Sequence, residues 1–193
     1  MASLVLSGDT SGSITVSAPA VAGSTTQTLV NVSGTLAPIV SGTAVASTSG
    51  TSIDFTGIPS WVKRITVMFN GVSTNGTSVV LVRIGSGSIV SSGYSGIVQQ
   101  FTGTGVNANT LTDGFRVEGT GSAASSRDGS VVLTNINSNT WVANGNVQAT
   151  GSGGLGGLLT GNVALSGTLD RVRITTVNGT DTFDAGTINL LWE

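Results

Sequence analysis

Alternating apolar and polar positions run through most of this chain, and the clearest run lies between residues 64 and 70. Ile65, Val67 and Phe69 fall on one face of an extended segment there, and polar residues fall between them. The pair Asn70-Gly71 follows the run, and such pairs favour turns because they tolerate positive φ. We therefore predict a half-buried strand that ends at this pair and lies centrally in the main domain.

Short β-rich apolar runs recur between turn signals along the rest of the chain, and segment 78–84 is apolar on both faces, which is typical of a central strand. The pair Asn144-Gly145 is predicted to form a hairpin turn or a bulge. Further strands are predicted at 53–55, 97–101, 115–118, 130–134, 140–143, 146–149, 162–166, 169–175 and 187–192, and loops at 85–96, 103–112 and 151–157. Many short strands with frequent turns favour a β-sandwich of jelly-roll type, in which the first strong strand and the last could be neighbours.

The first part of the chain contains two shorter segments in which apolar and polar residues alternate, at 13–17 and 26–32. Neither has enough apolar mass nearby to bury itself, and a lone hairpin is marginal in water. The segment is either a flexible tail or a set of strands completed by copies of itself, as in a trimeric β-prism, or by a docking partner; the regular alternation favours the second. Residues 41–52 have the composition of a linker. We predict an N-terminal docking or oligomerisation segment at 1–46 and a sandwich at 47–193.

Composition agrees with an all-β fold. Charged residues make up 8% of the 193 residues and glycine numbers 29, so the chain lacks the charged residues that long helices use, while 38% hydrophobic residues allow a real core.

The net charge of −2, with seven lysines and arginines, argues against nucleic-acid binding. Cysteine is absent, which excludes disulfides. No apolar run reaches the roughly 20 residues that span a bilayer, so we expect no membrane insertion. The N-terminus lacks the features of a signal peptide, so we expect synthesis in a cytoplasm without export by that route.

Two segments of the main domain resemble known sequences. Residues 58–76 (IPSWVKRITVMFNGVSTNG) and 166–190 (SGTLDRVRITTVNGTDTFDAGTINL) are similar to segments of tail-fibre-type structural proteins of tailed bacteriophages and prophages. Residues 8–16 resemble short leaders on phage virion proteins. The resemblance covers both ends of the main domain but not its middle, about 85–161. It implies a virion component, usually trimeric, without catalytic residues.

From the resemblance we expect a virion protein assembled in the cytoplasm of a host bacterium: a homotrimeric tail fibre or similar appendage. Its N-terminal segment would dock onto other virion proteins, and its loops would meet a glycan or protein of the host surface. The alternative is a capsid or tail decoration protein with a purely structural role.

Catalysis is not expected. Histidine and cysteine are both absent, which removes the usual nucleophilic mechanisms. A glycan-degrading enzyme could still use two carboxylates, but most of the acidic residues lie in or beside turns, where they accept bonds from local amides. The candidates are Asp54, Asp113, Glu118, Asp128, Asp170, Asp181 and Asp184.

No metal or cofactor site is expected either. Asp181 and Asp184 follow Asn178-Gly179 and could surround Ca²⁺, but their spacing does not match an EF-hand loop and a turn is the favoured interpretation. Basic pairs at 63–64 and 171/173 could form an anion patch. We favour instead exposed or interface charges paired with Asp54 or Asp170.

Aromatic and amide side chains near the predicted loops are the candidate receptor contacts. Trp61 and Trp192 lie in apolar runs and are predicted to be core or subunit-contact residues. Tyr94 and Trp141 neighbour loops and could stack on sugar rings, although core packing is favoured for Trp141. The candidate receptor-binding residues are Tyr94, Asn107, Asn109, Trp141 and Leu155.

Overall fold

The computed structural model describes residues 3–7, 10–17, 37–151 and 154–193. The chain divides into two compact units, residues 1–36 and 37–193. Within the described ranges every regular element is a β-strand, which confirms the all-β class.

The first unit contains β1 (Ser3–Ser7) and β2 (Ser13–Ser17), which pair as an antiparallel hairpin. The second unit contains β3 (Val40–Ser41), β4 (Val45–Ala46), β5 (Ser52–Thr56), β6 (Arg64–Thr74), β7 (Val80–Ser86), β8 (Ser88–Ile89), β9 (Ser95–Thr102), β10 (Gly105–Leu111), β11 (Phe115–Arg116), β12 (Ser126–Asn137), β13 (Thr140–Thr150), β14 (Gly154–Ala164), β15 (Arg171–Thr176) and β16 (Phe183–Trp192).

Two antiparallel sheets build the second unit. The larger has the order β10-β9-β14-β13-β12-β6-β16-β3, with β4 also paired to β16. The smaller has the order β11-β7-β15-β5, with β8 paired to β7. Strand β6 therefore lies between β12 and the last strand, β16, which confirms that the first strong strand and the last are neighbours.

Both sheets contribute to one hydrophobic core. Ile65 and Val67 of β6 in the larger sheet belong to the same buried cluster as Val82 and Ile84 of β7 in the smaller. All four are fully buried, and burial of each such side chain contributes about 1.5–3 kcal/mol. The predicted period of two in β6 and the predicted apolar character of β7 on both faces are thus confirmed.

The predicted end of β6 is wrong. The strand continues past Asn70-Gly71 to Thr74, and the pair forms a bulge at which the register with both neighbours shifts. Gly71 has φ +65°, and its N–H donates to Asp128 Oδ1 at 2.7 Å. The turn-forming pair therefore bends a strand without ending it, because the flanking residues still have partners on both sides.

Three predicted irregular segments are strands. Residues 105–111 of the predicted loop at 103–112 form β10, and residues 154–157 of the glycine-rich loop begin β14. Asn144-Gly145 lies inside β13 with unbroken register to β12. Close backbone packing explains this use of glycine. An added Cβ at Gly145 would lie 2.8 Å from Ser130 O, so here the missing side chain permits a sheet.

The N-terminal boundary also differs from the sequence prediction. Strands β3 and β4, within residues predicted to be docking segment and linker, pair with β16 of the larger sheet. The units divide after Leu36 rather than after residue 46. The alternating segment at 13–17 forms β2, and the alternating segment at 26–32 lies outside the described residues.

Candidate functional site

The acidic side chains are held separately, mostly by arginines and turn amides. Arg173 donates two hydrogen bonds to Asp54, at 2.6 and 2.7 Å, and Arg171 donates two to Asp170, at 2.7 and 3.0 Å. These are the pairings that the sequence analysis favoured over an anion patch. The bond from Arg171 is the main reason that the pKa of Asp170 is lowered. Both pairs are partly exposed, so solvent screening leaves each with little effect on stability.

Asp181 and Asp184 accept hydrogen bonds from different partners. Asp181 accepts hydrogen bonds from Ser78 N at 2.8 Å and from Asn178 Nδ2 at 2.6 Å, whereas Asp184 accepts one from the hydroxyl of Ser73. The described residues contain no group of three acidic side chains arranged to hold a metal. Residues 178–181 form a turn that is closed by the side-chain oxygen of Asn178, which accepts hydrogen bonds from Thr180 N and Asp181 N.

One ion pair is fully buried. Arg127 of β12 and Glu118 are both shielded from solvent, and Arg127 Nε donates to Glu118 Oε1 at 2.8 Å. Arg127 Nη2 also lies 2.6 Å from the same oxygen, at an angle outside hydrogen-bond geometry. Val80 N of β7 donates to Oε1 at 3.3 Å, so the pair joins the two sheets.

The environment of this pair is costly for charge. Burial raises the pKa of Glu118, and the neighbouring Arg127 opposes that effect. Glu118 Oε2, Thr74 Oγ1 and Ser125 Oγ are buried without a hydrogen-bond partner in the described structure. Sequence reasoning treated Glu118 as one of several turn carboxylates and missed its partner, because Arg127 lies in a run of small residues without apolar alternation.

Two candidate aromatic contacts are core residues. Tyr94 is 4% exposed, and its hydroxyl accepts a hydrogen bond from Ile84 N at 2.9 Å and donates one to Val90 O at 3.1 Å. Its ring packs edge-on against Phe115, with 4.9 Å between the ring centroids. Burial raises the pKa of the Tyr94 hydroxyl to about 12. Trp141 is 3% exposed, in line with the favoured prediction. Neither ring is available for stacking on a sugar.

The other two tryptophans differ in exposure. Trp192 is partly buried and packs against the core, whereas Trp61 is 39% exposed. A core position for Trp61 is therefore wrong, because it lies in the turn before β6 and not in a strand. Its predicted contact with another subunit stays a prediction.

The candidate receptor loops do not converge. Strand β9 connects two of them: residues 85–94 precede Ser95, and residues 103–104 follow Thr102. Seven steps of about 3.3 Å separate the ends of this strand by about 23 Å. Gly154 pairs with Thr102, so the remaining loop, around residue 151, lies at the same end as residues 103–104. We call this end the tip.

The chain joins the second unit at the end opposite the tip. One continuous row of paired residues crosses the larger sheet there: Val40, Trp192, Ile65, Leu133, Ala143, Gly161, Gly96 and Leu111. The row contains both Val40, close to the start of the unit, and Gly96, at the start of β9. Residues 102–105 therefore lie at the far end of the strands from Val40.

The other candidate residues lie on or beside β10. Asn107 is exposed, whereas Asn109 is half-buried and its Nδ2 donates to Gly119 O at 3.1 Å. Leu155 belongs to β14 rather than to a loop, and its side chain lies outside what the structure describes. Sequence reasoning missed Phe101 and Val106, which face each other across β9 and β10 and are 40% and 53% exposed.

The hairpin of the first unit has one apolar face. Leu4 pairs with Val16 and Leu6 pairs with Ile14, so these four side chains share a face. Their exposed fractions run from 54% to 68%. The opposite face carries Val5 among serines and Thr15. None of the described residues covers this aliphatic cluster, and exposed clusters of this kind are typical of contact surfaces.

Comparisons with protein-family models, with curated proteins and with solved structures give no significant match to this chain. Among the described residues, no helix has the length and apolar character needed to cross a membrane.

Proposed function

We propose that this chain is a structural protein of a bacteriophage virion: a homotrimeric tail fibre or similar appendage that docks by its N-terminal unit and displays the tip of its second unit to a host surface. The observation that carries the proposal is the apolar face of the hairpin, defined by Leu4, Leu6, Ile14 and Val16. These side chains remain largely in water, so a partner that covers them would gain about 25 cal/mol for each Å² buried.

The position of the tip supports display. Val40, close to the start of the second unit, lies at one end of the strands, and the hairpin at residues 102–105 lies at the other end. A protein held on a particle by its N-terminal unit would thus have room for contacts at the tip. Three such tips on one trimer would raise avidity by linking weak contacts.

We also propose that the second unit is a jelly roll. In that fold the first, eighth, third and sixth strands form one sheet, and the second, seventh, fourth and fifth form the other. The order β5-β15-β7-β11 fits the first pattern. The order β6-β12-β13-β14-β9-β10 fits the second if the meander β12–β14 takes the place of the seventh strand. Strand β16 would then be an addition beside β6.

Two measurements test docking and oligomeric state. The full chain should run as a trimer or as a multiple of three chains in multi-angle light scattering, and it should attach to particles that lack it. A double variant, Leu6→Ser with Ile14→Ser, should lose both properties because it breaks both cross-strand pairs. The matched control is Val5→Ser, which lies on the other face of the same hairpin and should behave as wild type. A stable monomeric wild type would contradict the proposal.

A capsid or tail decoration protein is the second candidate. The outward face of the larger sheet favours it, because Thr66, Met68, Ser130 and Asn144 on neighbouring strands make this face broad and nearly uncharged. Such a face suits contact with a flat protein surface. Binding of fluorescent protein to host cells separates the candidates: a tail fibre should bind and lose binding on Thr104→Trp at the tip, whereas a decoration protein should not bind at all.

A further inference from the structure

The outer edge of the larger sheet is a long unpaired strand. Strand β10 pairs with β9 on one side, and none of the described strands pairs with its other side. Its sequence, GVNANTL, contains no charge and no proline. Natural proteins usually protect exposed edges with lysine, proline or a bulge, because an open row of backbone amides and carbonyls invites another strand.

The surface beside this edge is apolar. Val106 faces Phe101 and Thr110 faces Ile97 across β10 and β9. Leu158 of β14 adjoins them, and Ile97, Phe101, Val106 and Leu158 are 38–53% exposed. An incoming strand would therefore bury both open backbone groups and a row of side chains, which is the arrangement used in strand addition.

The sequence of β10 identifies the incoming strand. Around Ala108 the residue classes read alike in both directions: β-branched Val106 and Thr110 lie two positions away, and Asn107 and Asn109 lie one position away. In an antiparallel pair centred on Ala108, Val106 would face Thr110 of the second copy and Asn107 would face Asn109. Val106 and Thr110 would then match in size and β-branching, and Asn107 and Asn109 would match in both size and polarity.

We propose that β10 pairs with β10 of a second copy of this chain about a two-fold axis at Ala108. The two large sheets become one continuous sheet. Phe101 and Val106 of one copy then lie in one cross-strand row with Thr110 and Ile97 of the other. The interface is isologous, because the same strand serves both copies. It goes beyond the proposed function: it joins copies in pairs, so chains that trimerise through the first unit would assemble as pairs of trimers.

Introducing a charge at the centre of the strand tests this pairing. Ala108 is exposed, so Ala108→Lys leaves the fold of each copy intact and places two lysines together at the axis. Sedimentation velocity of the full chain should show species doubled in mass for wild type. For the lysine variant, the association that doubles the mass should be weaker by about tenfold or more. The matched control is Ala164→Lys, also exposed and on the same sheet face, which should double as wild type does.

Mixing two variants tests the register. Ala108→Glu should fail to double alone, as Ala108→Lys does, and an equal mixture of the two should recover doubling through Lys–Glu pairs at the axis. General disruption of the strand would not be rescued in this way. Wild type without a doubled species, unimpaired doubling of the lysine variant, or an unrescued mixture would each overturn the inference. A trimer that persists unchanged in every variant without doubling would overturn it and leave the proposed function intact.

Discussion

At the scale of single residues, the Arg127–Glu118 pair is the costliest arrangement in the second unit. Both side chains are out of contact with solvent, and together they bond backbone groups of β6 and β7. Removing one partner of a buried pair leaves an uncompensated charge, which usually costs about 3–5 kcal/mol. The pair therefore penalises any packing of the two sheets that separates its members.

We expect Glu118→Gln to lower the free energy of unfolding by about 3–5 kcal/mol, because it leaves the Arg127 guanidinium buried without a countercharge. Urea unfolding followed by tryptophan fluorescence measures this loss. The control is Asp54→Asn, which breaks a partly exposed pair and should cost under about 1 kcal/mol. Adding Arg127→Met to Glu118→Gln should restore part of the stability; a double variant weaker than Glu118→Gln would contradict this account.

Tyr94 offers a second test, because it is the only tyrosine in the chain. The pKa of its hydroxyl should be about 12 in the folded protein and close to the ordinary tyrosine value of 10.0 in urea, since burial disfavours the phenolate. Because the pKa is raised in the folded state, the stability that the buried neutral hydroxyl contributes is complete below pH 10. It is lost as the pH rises through about 12. Phenolate absorbance measures the titration, with Tyr94→Phe as the blank. A folded-state midpoint near 10 would show that the hydroxyl is exposed.

At the scale of elements, paired bulges shape the junction of β6 and β16. Gly71 has φ +65° and Gly186 has φ +95°, and the register between the strands shifts at both sites. A Cβ added at Gly186 would lie 2.4 Å from Gly71 O. Gly71 is thus favoured by its positive φ, whereas Gly186 is required both by its positive φ and by the close approach of the facing strand.

We expect Gly186→Ala to destabilise the fold by more than about 1–3 kcal/mol, because it combines backbone strain with a clash against the facing strand. Thermal unfolding by circular dichroism measures the effect. Gly87→Ala is the matched control: Gly87 has a similar positive φ, but its Cβ would meet nothing within 4 Å, so the substitution carries strain alone. Equal losses for the two variants would remove the role assigned to the clash.

Strand interiors were predictable from sequence, and their ends were not. The period of two identified the buried faces of β6, β15 and β16 because each has one face in the core and one in solvent. Glycine-containing stretches predicted loops at 103–112 and 151–157, but pairing with neighbouring strands holds residues 105–111 and 154–157 in the sheet. Such contacts join residues far apart in the chain, and local composition does not encode them.

The candidate site was predicted less well for the same reason. The sequence places Tyr94 and Trp141 beside turn signals, but whether a ring beside a turn faces the core depends on the sheet that covers it. Both rings are covered. The exposed pair Phe101 and Val106 has ordinary strand alternation, so its position near a sheet edge becomes evident only from strand order.

At the scale of the whole molecule, the two ends of the second unit have different surroundings. The chain joins one end near Val40, and residues 102–105 form part of the other. The absence of cysteine allows one label at each end. Docking through the first unit predicts that a gold label on Thr104→Cys lies farther from the particle than a label on Ser92→Cys, by about 23 Å for a strand aligned with the appendage.

Electron microscopy of labelled particles measures this difference. Equal radial positions would mean that the strands lie across the appendage, and a reversed order would mean that the tip faces the particle. Ser92 and Thr104 are both exposed, so neither label should disturb the core.

The position of β16 sets a condition on how the protein is made. One side of β6 pairs with β12 and the other with β16, so a nascent chain that has already emerged beyond β6 keeps one flank of that strand unsatisfied until Phe183–Trp192 leaves the ribosome. Folding of the larger sheet must then finish after synthesis of those residues, and the open flank is a target for chaperones or for misassembly between neighbouring nascent chains.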